Sequence, residues 1–96
     1  MTKLDDAAIA SKLTNFPQWT LQNGKLHREY KFLDFERALG FMLAAAPGIQ
    51  KMDHHPEWLN VYNRVTVDLA THDAKGITSK DVDLAKLLDA TAAKLQ

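Results

Sequence analysis

The 96-residue chain predicts an α+β fold, a four-stranded antiparallel sheet with three helices packed on one face. Three observations lead there. Asn23-Gly24 lies between two strand-like runs, and that dipeptide is the strongest short hairpin signal because both positions tolerate positive φ. Val65, Val67 and Leu69 alternate with Thr66, Asp68 and Ala70, which marks a second strand pair. Segments of helical period precede, separate and follow the two pairs. The order helix, two strands, helix, two strands, helix is satisfied by one sheet covered on one face.

The first helix is expected over Asp5 to Leu13, where Ile9 and Leu13 share a face and Asp5 and Asp6 suit a positive helix N-terminus. "FPQW" ends it at Pro17. In "WTLQNGKLHREYKF", Leu26, Arg28, Tyr30 and Phe32 fall on one face, with Lys25, His27, Glu29 and Lys31 on the other. One face is therefore buried and one wet. Asp34 is a good N-cap for a helix that begins at Phe35. Phe35, Leu39, Met42, Ala46 and Ile49 keep a helical period through Pro47, so one helix to about Met52 is expected, with a break at Ala46 the alternative. The break has a physical basis, since an interior proline costs about 3 kcal/mol. In "WLNVYNRVTVDLATH", Asn63-Arg64 is the expected tight turn. Thr78 caps the last helix with Asp81 in a capping-box position, and Leu84, Leu88, Thr91 and Leu95 form its buried stripe.

Composition narrows the function. A hydrophobic fraction of 46% and a charged fraction of 25% are ordinary for a globular chain, and the length fits one domain over residues 1–96. Lys+Arg and Asp+Glu are 12 each, so bulk charge favours neither nucleic acid nor membrane. With no cysteine, disulfides, thiolate nucleophiles and cysteine zinc sites are excluded. "LGFMLAAAPGI" is too short for a membrane span of about 20 residues, and "MTKLDDAAIASKL" does not read as a secretory signal. A cytoplasmic location is expected, with the nucleus as a second compartment in a eukaryote.

The chemistry concentrates in "DHHPEWL", Asp53 to Leu59. With Asn63-Arg64 as a two-residue loop, Tyr62 pairs with Val65, Trp58 faces Leu69 and His55 faces His72. Opposed residues lie about 5 Å apart on one face. Pro56 cannot donate to the ladder and loosens the pairing before it reaches His55. His54 ends a helix and His55 begins a strand, so their side chains need not diverge. His54, His55 and His72 are then expected around one pocket mouth, with Asp53, Glu57 and Asp73 nearby. His27 reads as structural, and Trp58 and Tyr62 fit core or interface aromatics at this spacing. Grouped imidazoles, with ordinary pKa values near 6.5, can hold one proton and leave a neutral ring beside it. That is the requirement for paired acid and base in a dehydration. A three-histidine metal site is the rival, although no H-E-x-x-H spacing is present. Nucleophilic chemistry is weaker still, with no serine in a G-x-S-x-G context.

"HHPEWLNVYNRVTVDLATHD" and "GITSKDVDLA", with "RALGFM" and "WTL", closely resemble the pterin-4a-carbinolamine dehydratase family from about Trp19 onward. The resemblance implies dehydration of 4a-hydroxytetrahydropterin to quinonoid dihydropterin in tetrahydrobiopterin recycling, without metal or organic cofactor. It implies that His54, His55 and His72 are the active-site histidines. Asp53 to His55 and Ala70, Thr71, His72 and Asp73 correspond to pterin-contacting segments, Trp58 is included with the substrate contacts, and Asp81 matches a carboxylate that positions the site. It also implies homodimers or homotetramers. In animals some members bind a dimeric homeodomain transcription factor, a role in which the neutral net charge argues against direct DNA contact. One position departs from the pattern: Gln50 stands where a glutamate is common. An uncharged neighbour leaves His54 less readily protonated, unless Asp53 or Asp73 compensates.

Overall fold

The computed structural model describes residues 2–96. Helix α1 spans Asp6–Lys12, with Asp5 as N-cap accepting the Ala8 N–H. Strands β1 (Thr20–Gln22) and β2 (Lys25–Lys31) follow, joined by Asn23 and Gly24, both at positive φ. Helix α2 runs unbroken over Phe35–Met52 with Asp34 as N-cap and Pro47 inside it, as expected. Strands β3 (Glu57–Val61) and β4 (Arg64–Leu69) form the second hairpin. A single 3-10 turn at His72–Ala74 leads to α3, Ser79–Ala93. The sheet is antiparallel in the order β1-β2-β4-β3, so β3 is an edge strand.

The core sits between this sheet and the helices. Leu26, Tyr30, Val65, Val67 and Leu69 from the strands, with Phe32 just beyond β2, meet Phe41 and Ile49 of α2 and Val82, Leu84, Ala85 and Leu88 of α3. Phe41 is central, tilted against Tyr30 and Phe32 and edge-on to Trp58. The two long helices come close at Gly48, where Leu87 fills the space a Cβ would take. No described helix is long and apolar enough to cross a membrane.

Two expectations are corrected. The tight turn is Tyr62-Asn63, not Asn63-Arg64: Val61 pairs with Arg64 and Trp58 with Val67. Side-chain amides explain the choice. Asn63 Nδ2 donates to the Phe32 carbonyl, and Asn60 Nδ2 bridges the carbonyls of Tyr62 and Arg64. Tyr62 accepts a positive φ of 53° in return, which side-chain size alone disfavours. The displacement is two residues along β4, so each side chain keeps its expected face.

The second correction concerns α2, whose buried stripe is Ala38, Phe41, Ala45 and Ile49. Phe35 and Leu39 are exposed with Leu43, and Ala46 is exposed as well. The helix carries two apolar stripes. The inner stripe combines two alanines with Phe41 and Ile49, and the second apolar stripe faces outward.

Candidate active site

The sheet and α3 meet at one polar centre. Asp53 ends α2 in the left-handed conformation (φ 51°), donating its N–H to the Gln50 carbonyl. Aspartate is one of the few residues that visits this region readily. The chain then leaves as an extended segment ahead of Pro56, which biases His55 to extended backbone. Consecutive side chains in such a segment point to opposite sides. The expected convergence of the His pair is therefore corrected: the His54 side chain is only 12% exposed, whereas His55 is open to solvent.

The ring of His54 turns toward the start of α3, where its Nε2 lies 2.6 Å from Asp81 Oδ1. Asp81 is fully buried. Its other oxygen, Oδ2, accepts the Thr71 hydroxyl at 2.8 Å and the Thr78 N–H at 2.9 Å. The Thr71 and Thr78 hydroxyl oxygens are 2.7 Å apart. Thr78 and Asp81 form the capping box read from the sequence, so one carboxylate both starts α3 and holds an imidazole.

Thr71 leads directly into His72. A backbone bridge between Thr71 and Gly76 closes a short loop, with Lys75 in the left-handed conformation, and this loop presents His72 and Asp73 to solvent. A cleft of about 510 Å³ opens beside His72, lined by Ala70, Thr71 and His72 on one side and by the turn Asn23-Gly24-Lys25 on the other. His54 and His55 do not line it. The structure thus links His54 to the residue before His72 through Asp81, not through a shared pocket wall. The observed register, continued beyond Glu57, sets Ala70 across from His55 and Thr71 across from His54. This replaces the expected His55–His72 pair.

The remaining predicted residues divide by environment. Trp58 is half-buried, its ring edge-to-face with Phe41 at 6.2 Å. Gln50 is exposed and its side chain reaches no hydrogen-bond partner among the described residues. The carboxylate that meets His54 is Asp81, rather than Asp53 or Asp73. No three described His, Cys, Asp or Glu side chains are grouped to hold a metal ion. His27, on the wet sheet face, bonds Asp68 through Nδ1 at 2.8 Å. Sequence reasoning placed Thr71 among substrate contacts, but its hydroxyl is directed into the Asp81 network. It did not foresee the role of Thr78, whose signal was the capping box itself.

The arrangement is a carboxylate–imidazole pair beside two solvent-facing imidazoles on adjoining loops. Comparison with known proteins shows which family the chain resembles. The family model for pterin 4 alpha carbinolamine dehydratase matches residues 2–91. A Solibacter usitatus protein named "Putative pterin-4-alpha-carbinolamine dehydratase" is 61% identical over 92 residues, spanning 96% of this chain and 97% of its own. A Rhizobium rhizogenes protein of the same name is 48% identical over 94 residues, spanning 96% and 93%. The crystal structure of a transcriptional coactivator/pterin dehydratase from Brucella melitensis superposes with a TM-score of 0.89 at 41% identity, covering 95% of this chain and 99% of that one. The chain belongs to the pterin 4 alpha carbinolamine dehydratase family and is an enzyme of the hydro-lyase class.

Proposed function

We propose that the chain dehydrates 4a-hydroxytetrahydropterin to quinonoid dihydropterin and water, by histidine acid/base catalysis, in the recycling of tetrahydrobiopterin. The observation that carries this reading is the bond from buried Asp81 to His54. A carboxylate accepts only, so it holds Nε2–H and leaves Nδ1 as the basic nitrogen of the neutral ring. Asp81 also stabilises the imidazolium that forms when Nδ1 takes a proton, the service a buried carboxylate gives its imidazole in a hydrolase triad.

In the step itself, His72 as imidazolium gives a proton to the 4a-hydroxyl. The C4a–O bond breaks and water leaves. The N5 lone pair closes the N5=C4a double bond, and the N5 proton passes to His54 Nδ1. Solvent returns both rings to their starting states. His72 is suited to the exchange by its exposure beside a cleft. His55, exposed on the far side of the same backbone segment, orients the ring, with Asp53, Ala70 and Asp73 framing the pterin. Thr71 supports the site through Asp81, and Trp58 supplies a partly exposed aromatic wall. Continuous turnover of a pterin carbinolamine tests the scheme: wild type accelerates it, and His72→Ala loses about 10²-fold or more. A His72→Ala protein at full rate refutes the assignment.

Self-association belongs to the same reading, as a homodimer or homotetramer. Leu33, Phe35, Leu39 and Leu43 are exposed on or beside α2, and Leu59, Val61 and Tyr62 on or beside edge strand β3. Contiguous apolar surface and an unpaired strand edge both favour a partner. A helical segment of a transcription factor would compete for the α2 stripe. Light scattering of wild type against Leu43→Glu decides it: a fall in mass supports the interface, an unchanged mass removes it.

A further inference from the structure

We propose that the paired hydroxyls of Thr78 and Thr71 form a one-way relay that orients the Asp81 carboxylate and, through it, a single tautomer of His54, making Thr71 a positioning residue for the dehydration. The inference rests on the role given to His54 above.

The direction of each hydrogen follows from counting donors. Asp81 as carboxylate only accepts, and a threonine hydroxyl has one hydrogen to give. Thr71 spends its hydrogen on Asp81 Oδ2. The 2.7 Å contact between the two hydroxyls must then be donated by Thr78. Thr78 Oγ1 in turn accepts the Lys80 N–H at 3.3 Å. Donation runs from Lys80 to Thr78 to Thr71 to Asp81 without a reversal. Oδ2 also holds the Thr78 N–H, so Oδ1 is the oxygen left for His54 Nε2. Nε2 carries the hydrogen, and Nδ1 is bare in the neutral ring.

Thr71, Thr78 and Asp81 are all buried, so water does not readily replace a missing hydroxyl. Helix capping does not account for Thr71. The capping box is complete with Thr78 and Asp81 alone, and Thr71 comes from the segment after β4. Its hydroxyl adds a bond the helix does not need. That bond ties the residue before His72 to the carboxylate that holds His54, giving two histidines from distant stretches of chain one common anchor.

Two measurements test the relay. Long-range ¹H–¹⁵N correlation on the wild-type protein reads the His54 tautomer directly. The expected spectrum has Nε2 protonated and Nδ1 bare in the neutral ring, and the opposite tautomer overturns the proposal. Thr71→Val keeps the shape and removes the hydroxyl. Its kcat should fall about tenfold, as for one lost hydrogen bond to a charged group, with KM within about twofold and the His54 tautomers mixed. Thr71→Ser should restore kcat to within about twofold. A valine variant with wild-type kcat and tautomer, or a serine variant as impaired as the valine one, overturns the relay. Should the valine variant not fold, the wild-type spectrum and the serine variant still decide. If wild type turns over no carbinolamine, the proposed reaction fails, while the spectrum still judges the relay.

Discussion

Asp81 and Asp89 lie two turns apart on α3, and each carboxylate gathers three donors. Asp81 takes His54 Nε2, the Thr71 hydroxyl and the Thr78 N–H. Asp89 Oδ1 takes Trp19 Nε1 at 3.1 Å, Arg28 Nη1 at 2.7 Å and the Tyr30 hydroxyl. The difference lies in the partners. Arginine stays charged at any relevant pH and tyrosine gives up its proton only in strong alkali, so the Asp89 cluster is locked. Arg28 also lies over the Tyr30 ring, 4.1 Å from its centroid, which fixes its guanidinium further. Histidine changes charge near neutrality. The same backbone element thus carries a structural clamp in its interior and, at its start, a carboxylate whose partner can trade a proton. A buried acid is not a functional one by burial alone; the titration range of what it holds makes the distinction.

Of the substitutions that separate the two carboxylates, the one with the largest expected effect breaks the pair at the start of the helix. Asp81→Asn should lower kcat for a pterin carbinolamine by about 10²-fold, because the amide no longer holds one tautomer or stabilises the imidazolium. Asp89→Asn should behave oppositely. It removes the carboxylate that Arg28 Nη1 bonds, in a side chain whose Nε already has no partner, and leaves the guanidinium charge uncompensated, each side chain of that pair being only 14% exposed. Loss of about 2 kcal/mol is expected, a fall in Tm of roughly 8–16 °C, with kcat within about twofold. Calorimetry and turnover on both variants show whether the two effects separate.

Tyr30→Phe sharpens the structural side. Burial first, and the bond to Asp89 second, push the Tyr30 phenol well above its ordinary value of 10.0. A raised folded-state pKa contributes stability that is fully present below the unfolded value and lost as pH climbs past it. Phenylalanine should cost about 1 kcal/mol near neutrality, and the urea midpoints of the two proteins should converge above pH 10. Parallel midpoints would show that the phenol is not held as described. The smallest effect is expected at Gln50→Glu, an exposed position where an added carboxylate should move the alkaline limb of the pH–rate profile upward. An unchanged limb would mean that Asp81 alone sets the behaviour of His54.

Much of this molecule was legible where one residue's local chemistry decides the backbone. Asn23-Gly24 made its turn, Asp34 and Thr78 their caps, and Leu26, Tyr30 and Phe32 the buried face of β2. Legibility failed where side chains from elsewhere decided. The second turn settled on Tyr62-Asn63 because Asn60 and Asn63 clamp neighbouring carbonyls, one of them at Phe32 just beyond β2. The stripes of α2 could not be ranked from periodicity, since Phe35, Leu39 and Leu43 are as apolar as the residues that went inside. Within the site, a hairpin register that proved two residues off and the family resemblance both pointed to the three histidines, and the resemblance alone gave Asp81 a role there. The fork at Asp81 and the separate environments of His54 and His55 needed the tertiary structure. Asp89 left no trace, because a carboxylate at a helical i+8 spacing from another is unremarkable until Trp19, Arg28 and Tyr30 converge on it.

The most direct test of a histidine-centred site is the turnover of a pterin carbinolamine by wild type and by His54→Ala, at equal folded fraction. The account predicts acceleration by wild type and a fall of about 10²–10⁴-fold in kcat/KM for the variant, beyond the stability lost, about 1–3 kcal/mol, by leaving buried Asp81 Oδ1 without its partner. A His54→Ala protein that dehydrates the substrate at the wild-type rate would contradict it.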